Sequence, residues 1–211
     1  MIEALRRIAL ALGLEPSDSQ LNALQTYVTL LQRWNGTYNL TAVRDPEAML
    51  TQHLADCMAV VPSLLRQRSA GRVLDVGSGG GLPGVVIAVL APALDVTTVY
   101  TVGKKAAFVR QVAGAVGAAN LHAVHARVEQ MPLQPPFDVI TSRAFASLAD
   151  FVSLTRGWLA PGGVWMAMKG RRPDDEIGAL PADVEVFHVE PLTVPGLAAE
   201  RCLVWMRAKP V

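Results

Sequence analysis

Residues 73–84 read VLDVGSGGGLPG, a short run of branched apolar side chains that breaks into a cluster of glycines. The run is typical of a buried strand, and an apolar stretch at 83–90 with helical character follows it directly. Glycines at such a junction let the backbone turn sharply and approach a ligand without Cβ atoms in the way. This stretch therefore predicts a ligand-binding loop between a parallel strand and a helix.

Six further segments have the composition of strands, and most of them are separated by stretches with helical periodicity. The predicted strands after the first lie at 96–100, 121–125, 137–142, 164–168, 184–189 and 202–207, with helices at 104–116 and 147–159. Strands that alternate with helices through short connections predict a parallel sheet covered on both faces. The last two strands have no helix-length segment between them, so we expect an antiparallel pair. The predicted fold is α/β, with five parallel strands closed by a reversed hairpin.

The residues before the first strand are predicted to be helical. Ser17 with Gln20 three places later has the form of a capping box, and Asp45 before Pro46 is a second helix start. The helix after Pro46 should carry His53 and end near Pro62. We therefore predict an N-terminal helical extension over 1–70 and a Rossmann-like sheet domain over 71–211, together forming one compact unit.

The charge of the chain is nearly balanced. Its 211 residues contain 19 lysines and arginines against 18 acidic residues, for a net charge of +1. Proteins that hold nucleic acid by bulk positive charge usually have a larger excess. Any RNA binding must therefore depend on a local basic patch or on a target partly coated by protein.

Cysteine usage and the apolar runs bear on where the protein works. Cys57 and Cys202 have no metal-ligand spacing, so we expect two buried thiols in a reducing compartment and no metal site. The apolar stretch 8–14 is short and leads into polar residues, which favours a first helix over a signal peptide. The sequence predicts a soluble, cytoplasmic protein with no membrane partner.

Two ligand patterns overlap in the glycine cluster. Gly79, Gly81 and Gly84 fit the dinucleotide pattern, whereas Asp75 followed by alternating glycines fits the methyltransferase pattern. A dinucleotide-binding domain is expected to have its fingerprint near its start, whereas a long predicted helical segment precedes the glycines here. A nicotinamide enzyme would also need an acid near position 100 and a proton donor after the fourth strand. The methyltransferase interpretation is therefore favoured.

Motifs along most of the chain resemble those of one bacterial family in the same order. Besides the loop at 75–84, they are Trp34-Asn35 with 38–41, 53–56, 127–129, Ser142-Arg143-Ala144 and Lys169-Gly170. Together they resemble the RsmG (GidB) family. The resemblance implies a class I S-adenosylmethionine-dependent methyltransferase that modifies guanine N7 in 16S ribosomal RNA. The near-neutral charge is too weak for indiscriminate binding to an RNA backbone, so we expect the substrate to be the small ribosomal subunit or an assembly intermediate. We also expect the enzyme to be a monomer.

The resemblance implies a set of cofactor contacts, each with a physical rationale. Gly77 lets the backbone close on the methionine end, and Arg143 can hold a carboxylate of the cofactor or of a neighbouring acid. Arg143 is also the candidate catalytic residue. The candidate cofactor-binding residues are Gly77, Ser78, Gly79, Leu82, Tyr100, Val128, Glu129 and Arg143.

Tyr100 stands where class I methyltransferases place an acid for the ribose hydroxyls. A phenol makes one hydrogen bond with a ribose but cannot accept from both hydroxyls as a carboxylate does. One hypothesis is that an aspartate here would tighten cofactor binding by about tenfold, or roughly 1.4 kcal/mol. The competing hypothesis is that the ring packs against the adenine and has become part of the pocket, in which case an aspartate would weaken binding.

The residues after the fourth strand favour an N7 target. Enzymes that methylate exocyclic amines usually carry an Asn- or Asp-Pro-Pro-aromatic tetrad there, and this chain has Ser142-Arg143-Ala144-Phe145. Guanine N7 has an in-plane lone pair and needs no general base. The alternatives are a small-molecule methyltransferase, which would need a lid, and a non-catalytic RNA-binding descendant of the fold.

Four residues are candidates for substrate binding: Asn39, His53, Lys169 and Arg171. His53 and Asp56 lie three apart on one helix face, where a structural tie to the sheet is favoured over catalysis. Trp34 is in phase with the apolar stripe of its helix and is expected to pack in the core. Basic groups at 104–105, at 66 and 68, and at 171–172 are candidates for phosphate contacts.

Overall fold

The computed structural model describes residues 1–77, 79–145 and 147–210, and a single sheet runs through its centre. Seven strands join in the order β3-β2-β1-β4-β5-β7-β6. They are β1 (Gly71–Val76), β2 (Leu94–Tyr100), β3 (Leu121–His125), β4 (Phe137–Ser142), β5 (Leu159–Lys169), β6 (Val184–Leu192) and β7 (Arg201–Ala208). Strands β1 to β5 are parallel, and the predicted antiparallel pairing of the last two strands is confirmed.

Helices precede the sheet and cover it. They are α1 (Ile2–Ala11), α2 (Asp18–Tyr38), α3 (Pro46–Met49), α4 (Asp56–Met58), α5 (Val61–Gln67), α6 (Gly84–Leu90), α7 (Gly103–Val116), α8 (Leu148–Thr155) and α9 (Asp174–Gly178). A π-helical turn, Leu50–Ala55, joins α3 to α4. The predicted capping box is confirmed, since Ser17 Oγ accepts from the Gln20 N–H while Gln20 Oε1 accepts from the Ser17 N–H. Asp45 caps α3 through the Ala48 N–H at 2.7 Å.

The predicted reversed hairpin of β6 and β7 closes the sheet, and β7 is the strand that joins it to β5. Strand β7 lies between β5 and β6 and is antiparallel to both, so β7 alone runs against the other six strands. The segment that contains α9 carries the chain past the position of β7 before β6 begins. Strand β6 therefore forms the edge of the sheet, and its neighbour is β7.

Two predicted boundaries were wrong for local reasons. The helix expected at 147–159 ends at Thr155, because a 3-10 turn follows and Leu159 already pairs with Phe137 in the sheet. The helical run expected to end near Pro62 continues to Gln67. Pro62 lies in the first turn of α5, where its missing N–H breaks no helical hydrogen bond.

The N-terminal helices share a core with the sheet. Leu24, Leu31 and Leu64 are buried in one apolar cluster with Val73 of β1 and Val109 of α7. The helical run Pro46–Gln67 is long and apolar enough to span a bilayer by length and composition. Its most apolar window is 67% buried inside the protein, which is typical of a core helix.

The turn after β1 is closed by a buried carboxylate. The Gly84 N–H at the start of α6 donates to Asp75 Oδ2 at 2.8 Å, and Asp75 is fully buried. A Cβ at position 84 would lie 2.7 Å from both Asp75 Oδ2 and Thr98 Cγ2. Glycine is therefore required here by close packing of α6 against β1 and β2.

We expect Gly84→Ala to lower the free energy of unfolding by about 1–3 kcal/mol, because the added methyl overpacks the core. Gly114→Ala is the matched control, since Gly114 is exposed in α7 and an added Cβ would meet nothing within 4 Å. It should stabilise the protein by about 0.5–1 kcal/mol. Denaturant unfolding followed by circular dichroism measures both. Equal effects of the two substitutions would contradict the packing argument.

Candidate active site and cofactor groove

Three cavities lie along the carboxyl ends of the parallel strands, where ligands bind in sheets of this kind. The first, the β2 cavity, encloses about 260 Å³ beside Gly77, Tyr100, Lys105, Val128 and Glu129. The second, the loop cavity, encloses about 230 Å³ beside Leu40, Gly77, Gly79, Leu82, Lys105 and Arg143. The third, the Arg143 cavity, encloses about 450 Å³ beside His53, Asp56, Arg143, Lys169 and Arg201.

Shared lining residues join these cavities into one groove. Gly77 and Lys105 line both the β2 cavity and the loop cavity. Arg143 and Ala144 line both the loop cavity and the Arg143 cavity. The groove therefore runs from β3, across the glycine loop, to the end of β5, and it brings most of the predicted site residues together.

The glycine loop has a backbone that side chains disfavour. Gly77 and Gly79 have φ angles of +78° and +64°, in the left-handed region. A Cβ at Gly77 would meet nothing within 4 Å, so this glycine is needed for its φ angle and leaves open space for a ligand. Tyr27 of α2 supports the loop by donating its hydroxyl to the Gly80 carbonyl at 2.8 Å. Ser78, also a predicted contact, lies outside the described residues.

The far wall of the β2 cavity is built after β3. Val128 and Glu129 begin a 3-10 turn, and Trp158 Nε1 donates to the Val128 carbonyl at 2.8 Å. Glu129 remains 41% exposed at the side chain, with Arg127 at 3.9 Å. Its carboxylate is thus available to a polar ligand edge at the mouth of the cavity.

Tyr100 lines the β2 cavity, but most of its side chain is buried in the protein. The residue is only 4% exposed, and its ring belongs to the apolar cluster that contains Phe108 and Val109. An aspartate at this position would be largely desolvated, which is costly for a carboxylate. The buried ring argues against the first hypothesis, and packing of the ring against the adenine stays a prediction.

Arg143 is held by groups from the N-terminal helices. Its Nη1 atom lies 3.7 Å from Asp56 Oδ2, 3.2 Å from His53 Nδ1 and 3.4 Å from the Gln52 carbonyl oxygen. Asp56 is buried and also accepts from Arg201 Nε at 2.9 Å. One carboxylate is therefore shared by two guanidinium groups, and the cluster carries a net positive charge.

Both ring nitrogens of His53 are engaged. Nδ1 lies 3.2 Å from Arg143 Nη1 and 3.0 Å from the Gln52 carbonyl oxygen, and Nε2 lies 2.6 Å from Thr41 Oγ1. Burial lowers the pKa of His53 below its ordinary value, and the Arg143 charge lowers it further. His53 does not hydrogen-bond to Asp56, so the tie between helix and sheet runs through Arg143.

The structure adds two residues that sequence analysis did not assign to the site. Arg201 is 145 positions from Asp56, and no local motif marks it. Lys105 lines two cavities, and its only sequence signal was its place in a basic pair. Burial raises the pKa of the Cys57 thiol beside Arg143 to about 12, so Cys57 stays protonated.

The remaining substrate candidates lie at different distances from the groove. Lys169 lines the Arg143 cavity and pairs with Glu176 at 2.7 Å. Arg171 is exposed just beyond it in the loop after β5. Asn39 ends α2 in the left-handed region with φ +48°, and its Oδ1 accepts from Arg44 at 2.8 Å. Asn39 is exposed outside the groove.

The residues that line the groove fit S-adenosylmethionine. The open space at Gly77 and the carboxylate of Glu129 lie along one continuous cavity, with apolar Leu82 on its wall. Among the described residues, no cluster of three histidine, cysteine or acidic side chains could hold a metal ion. Gly77, Leu82 and Glu129 are therefore the candidates for holding the cofactor.

A family model described as rRNA small subunit methyltransferase G (GidB) matches residues 20–204. The chain belongs to this family. It is 59% identical to the ribosomal RNA small subunit methyltransferase G of Acidovorax sp. (strain JS42), over 97% of this chain and 94% of the relative. Identity to the Leptothrix cholodnii protein of the same name is 61%, over 96% and 94% of the two chains.

Solved structures with low sequence identity show the same fold. The glycopeptide N-methyltransferase MtfA, complexed with S-adenosyl-L-homocysteine, aligns with a TM-score of 0.58 and 13% identity, over 74% of this chain and 90% of MtfA. TrmN from Thermus thermophilus aligns with a TM-score of 0.57 and 21% identity, over 75% of this chain and 53% of TrmN. The fold of this family member is that of class I methyltransferases, as expected.

The lowered pKa of His53 gives this family member a pH-dependent stability. The unfolded chain binds a proton at His53 near pH 6.5 and the folded protein only below that value. The contribution of His53 to the free energy of unfolding is therefore fully present above about pH 6.5, and it is lost as the pH falls toward the lower pKa of the folded protein. Denaturant unfolding between pH 5 and 8 should show this slope, reduced in His53→Gln. His122→Gln, at an exposed residue paired with Asp95, is the control.

Tyr100→Asp should lower the free energy of unfolding by about 3 kcal/mol or more, through the lost ring and the buried carboxylate. It should not tighten S-adenosylmethionine binding. Tyr100→Phe retains the ring and should stay within about 1.5 kcal/mol of the wild type. Denaturant unfolding and calorimetric titration measure the two effects. A tenfold gain in affinity for the aspartate variant would show that the ribose lacks a carboxylate partner here.

Proposed function

We propose that this protein transfers a methyl group from S-adenosylmethionine to N7 of a guanine in 16S ribosomal RNA. The observation that carries the proposal is the continuous groove, whose glycine-loop end suits the cofactor and whose other end is cationic. Family membership supports a methyltransferase of the small-subunit rRNA. The chemistry of the groove supports N7 as the atom that is modified.

The groove offers no general base next to the glycine loop among the described residues. Asp56 is buried between Arg143 and Arg201, and both ring nitrogens of His53 are engaged, Nδ1 by Arg143 and the Gln52 carbonyl and Nε2 by Thr41. Glu129 lies in the β2 cavity beside Arg127, and it does not line the Arg143 cavity. A target that must lose a proton before attack would find no acceptor here, whereas guanine N7 presents a ready lone pair.

Positioning is the main task that remains for the protein. When bound, S-adenosylmethionine would supply an activated methyl group on a sulfonium, and Gly77, Leu82 and Glu129 are the residues that would hold it. Arg143 contacts His53 and Gln52 through Nη1, and its Nε and Nη2 make no hydrogen bond with the described residues, so they can donate to a guanine O6 or a phosphate. Arg143 would thus orient the base at the junction between the two ends of the groove.

An open groove also favours a polymeric substrate. Lys169 and Gly170, at the end of the Arg143 cavity, also line the adjoining surface depression that includes Arg171. A small-molecule methyltransferase would need this end closed. We assign the RNA to this end, through His53, Lys169 and Arg171, with Asn39 as a further contact on the surface outside the groove.

The helical extension over 1–70 and the sheet domain over 71–211 are proposed to act as one unit, because Tyr27 holds the glycine loop and Asp56 holds Arg143. We propose that this unit is a monomer that works in the cytoplasm. Its substrate would be the small subunit or an assembly intermediate, where ribosomal proteins can contribute to docking.

Mapping of N7-methylguanosine in 16S RNA tests the function. Small subunits from cells that lack the protein should gain one modified guanine when wild-type protein and S-adenosylmethionine are added. We expect protein-free RNA to be modified more slowly at physiological salt. Methylation at an exocyclic amine, or of neither RNA substrate, would contradict the proposal.

Arg143→Ala should reduce this methyl transfer by about 100-fold or more, since the reacting base loses its positioning donor. Arg66→Ala is the matched control, because Arg66 pairs with Glu190 away from the groove. Circular dichroism should show that both variants remain folded. Transfer by Arg143→Ala at near wild-type rates would remove Arg143 from the active site.

A further inference from the structure

Acidic residues are distributed very unevenly along this chain. Residues 19–44 and 96–128 contain no aspartate or glutamate, although together they make up more than a quarter of the sequence. These two stretches include most of α2 and all of α7, and the two helices pack together. Trp34 and Phe108 have ring centroids 5.4 Å apart across this contact. Folding therefore joins the two acid-free stretches on one side of the molecule.

The cations on this side are not neutralised. Arg33, Arg44, Lys104 and Arg110 are exposed, and none is within ion-pair distance of a carboxylate among the residues that the structure describes. Arg44 donates to the Asn39 amide oxygen, and Arg110 to the Ala123 carbonyl.

Arginines elsewhere on the surface are commonly paired. Arg66 pairs with Glu190 and Arg207 with Glu185, both acids on β6 at the opposite edge of the sheet from β3. A chain with a net charge of only +1 thus carries four exposed cations on these two stretches without an ion-pair partner among the described residues.

An exposed aromatic ring lies among these cations. Tyr38, the last residue of α2, is 39% exposed, and Lys104 Nζ lies 5.7 Å from its ring centroid. The Trp34 ring packs against the Tyr38 ring, with 5.0 Å between the two ring centroids. A ring fixed in this way beside cations suits the stacking of an unpaired nucleobase.

We infer that Arg33, Tyr38, Arg44, Lys104 and Arg110, the α2–α7 surface, bind a single-stranded segment of the RNA substrate outside the groove. The cations contact phosphates and Tyr38 stacks on a base. Lys105, next to Lys104, lines the β2 and loop cavities, so the surface adjoins the site of methyl transfer. This inference rests on the proposed RNA substrate and adds a docking surface to it.

The salt dependence of RNA binding tests the charges. The probe is a fluorescein-labelled 20-nucleotide oligouridine, with anisotropy measured from 50 to 300 mM KCl. Each of Arg33→Gln, Lys104→Gln and Arg110→Gln should reduce the slope of log K against log salt by about 0.7, and the triple variant by about 2. Arg66→Gln and Arg207→Gln make the same change in net charge and should leave the slope nearly unaltered.

A second series of variants tests whether the Tyr38 ring stacks on a base. Tyr38→Leu should weaken binding to the oligouridine by about tenfold, and Tyr38→Phe should bind like the wild type. Binding to a 20-base-pair RNA duplex should be insensitive to both, because its bases are already stacked. Calorimetric titration with S-adenosylmethionine should be unchanged in all these variants, which confirms that they are folded.

The outcomes separate this inference from the proposed function. Equal slopes for the test and control variants would overturn the inference, even if the wild type produces N7-methylguanosine. Reduced slopes would support the surface even if no modified guanine formed. If the wild type binds the oligouridine only weakly and no variant changes the slope, the surface is not an RNA site, and an acidic protein partner becomes the better occupant.

Discussion

The hydrogen bond between the Gly84 N–H and the buried carboxylate of Asp75 determines how the rest of the site is arranged. It brings the start of α6 directly over the end of β1, and this forces the intervening glycines to turn in a small space. The Tyr27 hydroxyl then fixes the same loop from the side of α2. Both ties are internal to the protein and hold the loop at Gly80 and Gly84, which reduces the ordering entropy that those residues lose on binding.

A second carboxylate organises the opposite end of the groove. Asp56 is buried against Arg143 and Arg201, which come from the loop after β4 and from the first residue of β7. Three distant parts of the chain therefore meet at one charge. Removing one partner of such a cluster is costly, since the remaining charges stay desolvated. The cation at the centre of the groove is thus positioned by the whole fold, and not by its own loop.

The sequence was most informative where the signal is local. The bounds of β3 and β4 agree with the predicted 121–125 and 137–142, because runs of apolar residues and the turns between them identify short strands. The glycine loop was identified for the same reason. Neither the place of β7 in the sheet nor its Arg201 has such a signal. The pairing of Arg201 with Asp56 depends on strand order, which joins residues far apart in the chain. The buried position of the Tyr100 ring likewise depends on helices contributed by other segments.

The position of β7 between β5 and β6 constrains the order in which the protein can be completed during translation. Strand β6 leaves the ribosome before β7, but its neighbour in the sheet is β7. Until residue 201 and the strand after it have been synthesised, β6 has no place in the sheet and Asp56 has only Arg143 as a partner. The whole sequence of the glycine loop is therefore synthesised well before the last residue of the cationic cluster, Arg201. The cationic end of the groove is the last part of the site that can be completed during synthesis.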